Sequence, residues 1–498
     1  MKRTVNFSNS ISIVIALIII ALCSLFITAC TESEEGVPAV LETETANGQE
    51  LTGGGEKISS GYVTTMSDSS KLIQPTDLIY LGAFRLPDVA GGASDSLGWE
   101  YGGGALTYRP TGDSSGKNDG FHGSLYGAGF EPMKLVSEIT IPEPVVSPSK
   151  NPEDLNTAVT LQGFADVGGG YFDTFVEMPR IGLSYLKSPE TGEKIHLSMG
   201  QHHQDEVVPT HAWFDLDLSF PNTTGAWFIG SQSLYSVNDY LFEIPKAWAD
   251  RYAGGRYLAT GRYRDGGWSG KGPTLFAYSP LLSGNPPKNG ERLNEVPLLL
   301  YSATRTDSPD TTDSYLNGYQ HPDEWEGGAW LTTTDSRSAV IFVGTKGTGD
   351  HYWYGWINPA NPTKPCVFLE ITESETCFNA DGTPCSPGVK KECSGHNEDR
   401  GWWSSDYSAQ MLFYDPSVFA AVATGELAPH QPQPYIVLDI DKYLFLPNPP
   451  ADPNISGAGD QRKYRIGAVA YDDERGIIYV MERFADGVKP IIHVFGVR

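Results

Sequence analysis

From Leu78 to the C-terminus, apolar and polar residues alternate in strand-length runs, and the runs end at turns rich in Gly, Pro, Asn or Asp. One arrangement recurs: a strand, a charged hairpin, then a second strand. GGALTYRPTGD at 103–113 precedes SLYGAGF at 124–130, and IGLSYLKSPETGEK at 181–194 precedes IHLSMG at 195–200. GGAWLTTTDSRS at 327–338 precedes AVIFVG at 339–344, and IGAVAYDDERG at 466–476 precedes IIYVME at 477–482. A second arrangement is a strand closing near a proline: KLVSEITIP to 142, YLFEIP to 245, TLFAYSP to 280 and MLFYDP to 416. After three of these a further strand follows, at 157–164, 296–303 and 434–440. Long amphipathic helices are nearly absent; a short helix is expected at PKAWADRYA.

Hairpins followed by two further strands make four-stranded antiparallel units, and their repetition predicts an all-β chain folded as a β-propeller. A β-sandwich or two β-domains would use the same strands without explaining the repeat. Five blades are counted most easily. Six stays open, because 205–280 contains strands that do not assign cleanly. The segment LIYLGAFRLP (78–87) has no strand before it to pair with, and PIIHVFGVR (490–498) has none after it. Placing the two in one blade closes the ring and removes an open sheet edge.

The first thirty residues follow a different pattern. Lys2 and Arg3 precede an apolar run from Ile11 to Ile27, and the run exits through Ile27-Thr28-Ala29-Cys30. This is the anatomy of an export signal, with an apolar core short for a full membrane span. The closing four residues resemble the bacterial lipobox. That resemblance implies lipid transfer to the Cys30 thiol, cleavage after Ala29 and acylation of the new terminus, so that 1–29 is a signal peptide and the partner is a membrane. Thr31 rather than Asp after Cys30 favours the outer membrane, by the same resemblance to Gram-negative lipoproteins. Residues 30–75 then read as an acidic flexible tether, rich in Glu, Thr, Ser and Gly and too poor in apolar groups to fold. A coil of that length spans about 35 Å. The propeller would occupy 76–498, with a Cys-rich insertion at about 346–406. The body also resembles uncharacterised exported bacterial proteins that carry strings like GKGPTLFAYSP (270–280) and AQMLFYDPSVFAAVATGE (409–426). This supports a single domain and supplies no catalytic residues.

Composition narrows the partners. The 498 residues carry a net charge of −26, which argues against nucleic acid, since phosphate binding needs a basic face. Gly 55, Pro 35 and 11% aromatics fit short strands and tight turns. Of six cysteines, Cys23 leaves with the signal and Cys30 carries lipid. Cys366, Cys377, Cys385 and Cys393 form an even local cluster, which in an exported chain reads as two disulfides with three pairings open. Their spacing lacks the paired short gaps of a zinc site.

Candidate chemistry falls on loops joining second to third strands. GQHHQDEVVPTH (200–211) carries His202 and His203 with Asp205, Glu206 and His211. Imidazole and carboxylate suit transition metals, which makes this the best metal candidate in the chain. Adjacent strand residues face opposite ways, so His202 and His203 could share one ion only in an irregular loop, and solvated or hydrogen-bonded histidines are the plainer reading, with no metal or cofactor assigned. GRYRDGGWSGKG (261–272) carries Arg262, Arg264, Asp265, Trp268 and Lys271, suited to carboxylates or, equally, to ion pairs between blades. Trp353, Trp356, Trp402 and Trp403, with His351, Tyr352 and Tyr354, flank or enter the cysteine insertion, as a sugar-stacking shelf or as its own small core. RFADGVKP (483–490) belongs to the last blade. Glu100, Glu206, Asp265 and Glu326 precede or join inner strands and are the carboxylates available for glycoside cleavage. No GxSxG or HExxH motif occurs. The expected function is a lipid-anchored extracytoplasmic propeller that binds a glycan, a peptide or a partner protein through His202, His203, Arg264, Asp265, Trp268, Trp353, Trp402 and Trp403. Two alternatives are a glycoside hydrolase with two acids near the channel and an assembly scaffold.

Overall fold

The computed structural model describes residues 69–88, 98–113, 121–177, 179–202, 204, 206–232, 237–262, 264, 270–301, 314–320, 322–353, 402–446 and 466–498, and the side chains of 349–353 and 402–405 fall outside that description. Five sheets with at least four strands each account for nearly all regular structure. Blade I is β2 (Leu106–Arg109), β3 (Ser124–Ala128), β4 (Leu135–Thr140) and β5 (Thr160–Asp166). Blade II is β6 (Arg180–Ser188), β7 (Gly192–Gly200), β8 (His211–Phe214) and β9 (Thr224–Ile229). Blade III is β10 (Leu241–Glu243), β11 (Leu258–Thr260), β12 (Thr274–Tyr278) and β14 (Glu295–Leu300). Its short β13 (Arg292–Leu293) pairs in parallel with β9 and covers the outer edge of blade II. Blade IV is β15 (Glu324–Thr332), β16 (Ser338–Trp353), β17 (Trp402–Tyr414) and β18 (Ile436–Asp439). Blade V combines β19 (Ile466–Asp472), β20 (Ile477–Asp486) and β21 (Lys489–Val497) with β1 (Leu78–Arg85) from the other end of the chain. The innermost strands pack side by side in the cycle β2, β6, β10, β15, β19 and back to β2.

Alternation explains the core. Leu125 on β3 packs with Tyr479 and Met481 of blade V, while its neighbour Tyr126 faces Leu183 and Leu197 of blade II. Ile341 and Phe342 on β16 divide in the same way between blades V and III. Blades are covered on both faces, which is why runs such as AVIFV at 339–343 read as continuously apolar. The ring closes as the terminal segments require: Leu78 pairs with Val497 and Arg85 with Ile491 in an antiparallel ladder. A buried chain of hydrogen bonds reinforces it, from Tyr80 Oη to His493 Nδ1 (3.0 Å) and from His493 Nε2 to Glu482 Oε2 (2.8 Å). Leu72 and Ile73, at the end of the stretch read as tether, are buried, and Ile73 donates to the carbonyl of Ser338.

The structure corrects the reading of 205–280. YLFEIP is not a third strand; it holds β10, the innermost strand of blade III. β8 and β9 complete blade II, and the expected helix α1 (Lys246–Tyr252) sits in the β10–β11 connection. The count is therefore five. A second helix, α2 (Pro416–Ala423), was not anticipated, although its signals are local: Asp415 Oδ1 accepts from the Ser417 amide (2.8 Å), a proline opens the helix, and Gly425 follows it at φ +80°. The cysteine insertion is also narrower than 346–406, because β16 and β17 stay paired out to Trp353 and Trp402. Among the described residues no helix is long and apolar enough to cross a membrane.

Close packing of blades requires glycine at one inner position. A Cβ on Gly182 of β6 would stand 1.8 Å from the carbonyl oxygen of Asp239, just before β10. Gly182→Ala is therefore expected to cost about 3 kcal/mol by forcing blades II and III apart. Urea unfolding measures this, and a loss below about 1 kcal/mol would show that the contact yields.

Candidate functional site

Where inner strands begin, side chains from four blades meet across the channel. Glu131 lies in the turn between β3 and β4 of blade I, and Arg180 opens β6 of blade II. Glu326 is near the start of β15 in blade IV, and Arg483 lies on β20 of blade V. Arg180 Nη1 contacts Glu131 Oε2 at 3.1 Å and Glu326 Oε1 at 3.8 Å. Arg483 contacts Glu131 Oε2 at 3.8 Å and Glu326 Oε2 at 3.7 Å. The four groups thus form a closed ring of alternating charge, in which Arg180 and Arg483 each bridge the same two carboxylates. Beside it, Arg264 of blade III pairs with Glu324 of blade IV at 3.4 Å, and Lys346 pairs with Asp323 at 3.0 Å.

Backbone geometry makes room for this ring. The segment 102–104 before β2 is three glycines. A Cβ at Gly104 would stand 1.5 Å from Glu131 Oε1, and one at Gly103 would stand 3.1 Å from Arg483 Cγ. Both long side chains can therefore lie against bare backbone.

Burial dominates the electrostatics. Glu326 is only 4% exposed, and its carboxyl is pushed up to about 7. Desolvation is the main cause; Arg180 and Arg483 oppose it, and Glu324 and Glu131 reinforce it. Burial also raises Asp323, against the pull of Lys346. Glu131 Oε1 and Glu326 Oε1 are buried and accept no hydrogen bond among the described residues.

A pH dependence follows from Glu326. Its carboxyl binds a proton more tightly in the folded chain than in the unfolded one. Its contribution to stability is therefore complete below the unfolded value, near 4.5, and is lost as pH rises through about 7. Between those limits the loss is on the order of 3 kcal/mol. Glu326→Gln should gain on the wild type by about that amount from pH 5 to 8, as measured by urea unfolding. Parallel profiles for the two proteins would refute the assignment.

The loops singled out from sequence occupy the expected connections. Residues 201–210 join β7 to β8, 261–273 join β11 to β12, and 354–401 join β16 to β17, each a second-to-third connection. Arg483 lies on strand β20, whose turn into β21 is 487–488. Arg264 is buried against Glu324, and Arg262 donates from Nη2 to the Tyr301 carbonyl at 3.0 Å. The backbone amide of His202 donates to the Glu177 carbonyl at 3.0 Å. Trp353 stands opposite Trp402 in the ladder, and Tyr352 opposite Trp403. His203, Asp265, Trp268, Cys30, Cys366, Cys377, Cys385 and Cys393 lie outside the described residues.

His211 is a strut between blades II and III: its Nδ1 is hydrogen-bonded to Thr210 Oγ1 and its Nε2 to Thr260 Oγ1, and burial pushes it down to about 3. Glu206 is exposed. Among the described residues no group of three or more His, Cys, Asp or Glu is placed to hold a metal ion. Sequence reasoning named Glu326 but missed Glu131, Arg180 and Glu324. The one signal for Glu324 and Glu326 was the acidic pair heading an otherwise apolar strand, EWEGGAWL.

Five blades, one of them shared by both ends of the chain, around a channel crossed by buried charge define a five-bladed β-propeller. No protein-family model matches the chain, and no curated protein matches it.

Proposed function

We propose that this propeller is lipid-anchored outside the cytoplasm through Cys30 and binds a glycan at the end of the channel where the inner strands begin. The charge ring of Glu131, Arg180, Glu326 and Arg483 carries the reading. It is assembled from four blades, lies at the end where the inner strands begin, and keeps two carboxylate oxygens without a hydrogen bond among the described residues. Sugar hydroxyls are donors that suit such acceptors; both oxygens are buried in this structure, so binding requires this end of the channel to open around them, while the guanidinium groups hold the acceptors in place.

A glycan array probed with the full chain in detergent tests the binding. Any hit should bind Glu326→Gln at least about tenfold more weakly, as expected for a lost hydrogen bond to a charged group. Hits that bind the variant as they bind the wild type, or no hits at all, would remove the site. Anchoring is tested separately: Cys30→Ser should leave the protein uncleaved or soluble. A variant still cleaved after Ala29 and still partitioning into detergent would remove the anchor.

One observation favours a second reading as a glycoside hydrolase. A carboxyl raised to about 7, Glu326, shares both guanidinium partners with Glu131. An acid that is protonated near neutrality beside a second carboxylate is the arrangement such cleavage uses. Release of reducing sugar from an array hit, lost in Glu326→Gln, would establish it.

A further inference from the structure

The other end of the channel has different chemistry. Residues of the five inner strands, with the turns that follow them, line an open cavity of about 510 Å³. Leu106, Leu183, Phe242, Trp330 and Val469 give it an apolar and aromatic wall. Three carboxylates line the same space: Glu190 just after β6, Glu243 at the end of β10 and Asp473 just after β19. None of the three forms an ion pair among the described residues. The two lysines at the rim are exposed and lie nearest other acids, Lys187 at 4.0 Å from Glu193 and Lys246 at 3.0 Å from Asp250.

Acids that line one cavity without an ion-pair partner repel one another. Glu243 and Asp473 both reach solvent at the mouth of the cavity, and their carboxyls are raised, first by partial desolvation and then by neighbouring acids, Asp473 in the case of Glu243. A cation in the cavity would relieve that repulsion. A metal ion fits poorly, because calcium needs six to eight oxygen ligands and most of this wall is hydrocarbon. An ammonium group on an apolar body fits both halves of the lining. Its charge meets the carboxylates, its body covers the aliphatic wall, and the rings of Trp330 and Tyr257 offer aromatic faces beside it. The volume lies within the range of small-molecule sites.

We propose that this cavity binds a small organic cation, an arylalkyl- or alkylammonium, with its charge held by Glu243 and Asp473 and its apolar body against Leu106, Leu183 and Trp330.

Calorimetric titration of the full chain in detergent with phenethylammonium tests this, with 2-phenylethanol as the neutral analogue and calcium chloride as a separate titrant. The ammonium is expected to bind with one-to-one stoichiometry, and the alcohol at least about tenfold more weakly. Glu243→Gln should weaken ammonium binding by a similar factor and leave the alcohol unchanged. Equal binding of ammonium and alcohol by the wild type would overturn the proposal, and so would ammonium binding that ignores Glu243→Gln. No ammonium binding at millimolar concentration would do the same. Stoichiometric calcium binding that excludes the ammonium would overturn it in favour of a metal site. The comparison of ammonium with alcohol uses wild-type protein, so it decides the matter even if the variant misfolds.

Discussion

A chain ending at Lys489 is expected to yield no folded protein. Residues 490–497 are not a trailing tail; they form the third strand of blade V and pair with β1 on one side and β20 on the other. Removing them exposes two sheet edges. It also deletes Ile491, Ile492, Val494 and Phe495, all buried, each contributing about 2 kcal/mol. That total approaches the whole stability of a typical domain. His493 goes as well, which leaves Tyr80 without its partner and Glu482 fully buried without the imidazole. Soluble yield and far-ultraviolet circular dichroism read the outcome. A truncated chain that unfolds cooperatively near the wild-type midpoint would show that the ring closes without its last strand.

Arg483→Met should destabilise the protein by about 3–5 kcal/mol at pH 7.5, the range for breaking a buried ion pair from one side. Arg483 is one of two cations serving Glu131 and Glu326, so its loss leaves two buried carboxylates on a single guanidinium. Methionine keeps much of the volume of the stem, which isolates the charge from the packing. Glu326→Gln in the same background should restore more than half of the loss by removing one of the stranded charges. Urea unfolding of the single and double variants supplies the cycle. Additive losses would mean that Arg483 and Glu326 do not act as a pair, and the ring would reduce to separate contacts.

The strands and the closure were legible because their signal is local. Alternation along LIYLGAFR and PIIHVFGV, and the charged hairpins between paired runs, mark strands wherever they pack. Blade III was not legible. β10 and β11 have only three residues each, too short for alternation to declare itself, and α1 interrupts the hairpin between them. The charge ring was illegible for another reason. Glu131 sits in FEPMK, which reads as a surface turn, and Arg180 precedes an ordinary strand. Nothing near either residue names its partner, since opposite charges at 131, 180, 326 and 483 meet only once the ring is closed. Arg264 shows how a sound reading of residue type can allow two outcomes. An arginine in a Gly-rich loop suits a ligand carboxylate, and here it faces Glu324 instead.

The shared blade also sets the timing of folding in the cell. Synthesis releases β1 first and β21 last, and the hydrogen bond between Tyr80 and His493 joins residues 413 positions apart. While the chain is still attached to the ribosome, β1 lacks β21, its partner strand. Blades I to IV can condense in order as they emerge, each on the one before, but none of them can finish the circle. Release of the C-terminus is therefore the commitment point. Until then a holdase that shields one exposed strand edge should matter more to the yield of this protein than any catalyst of a later step.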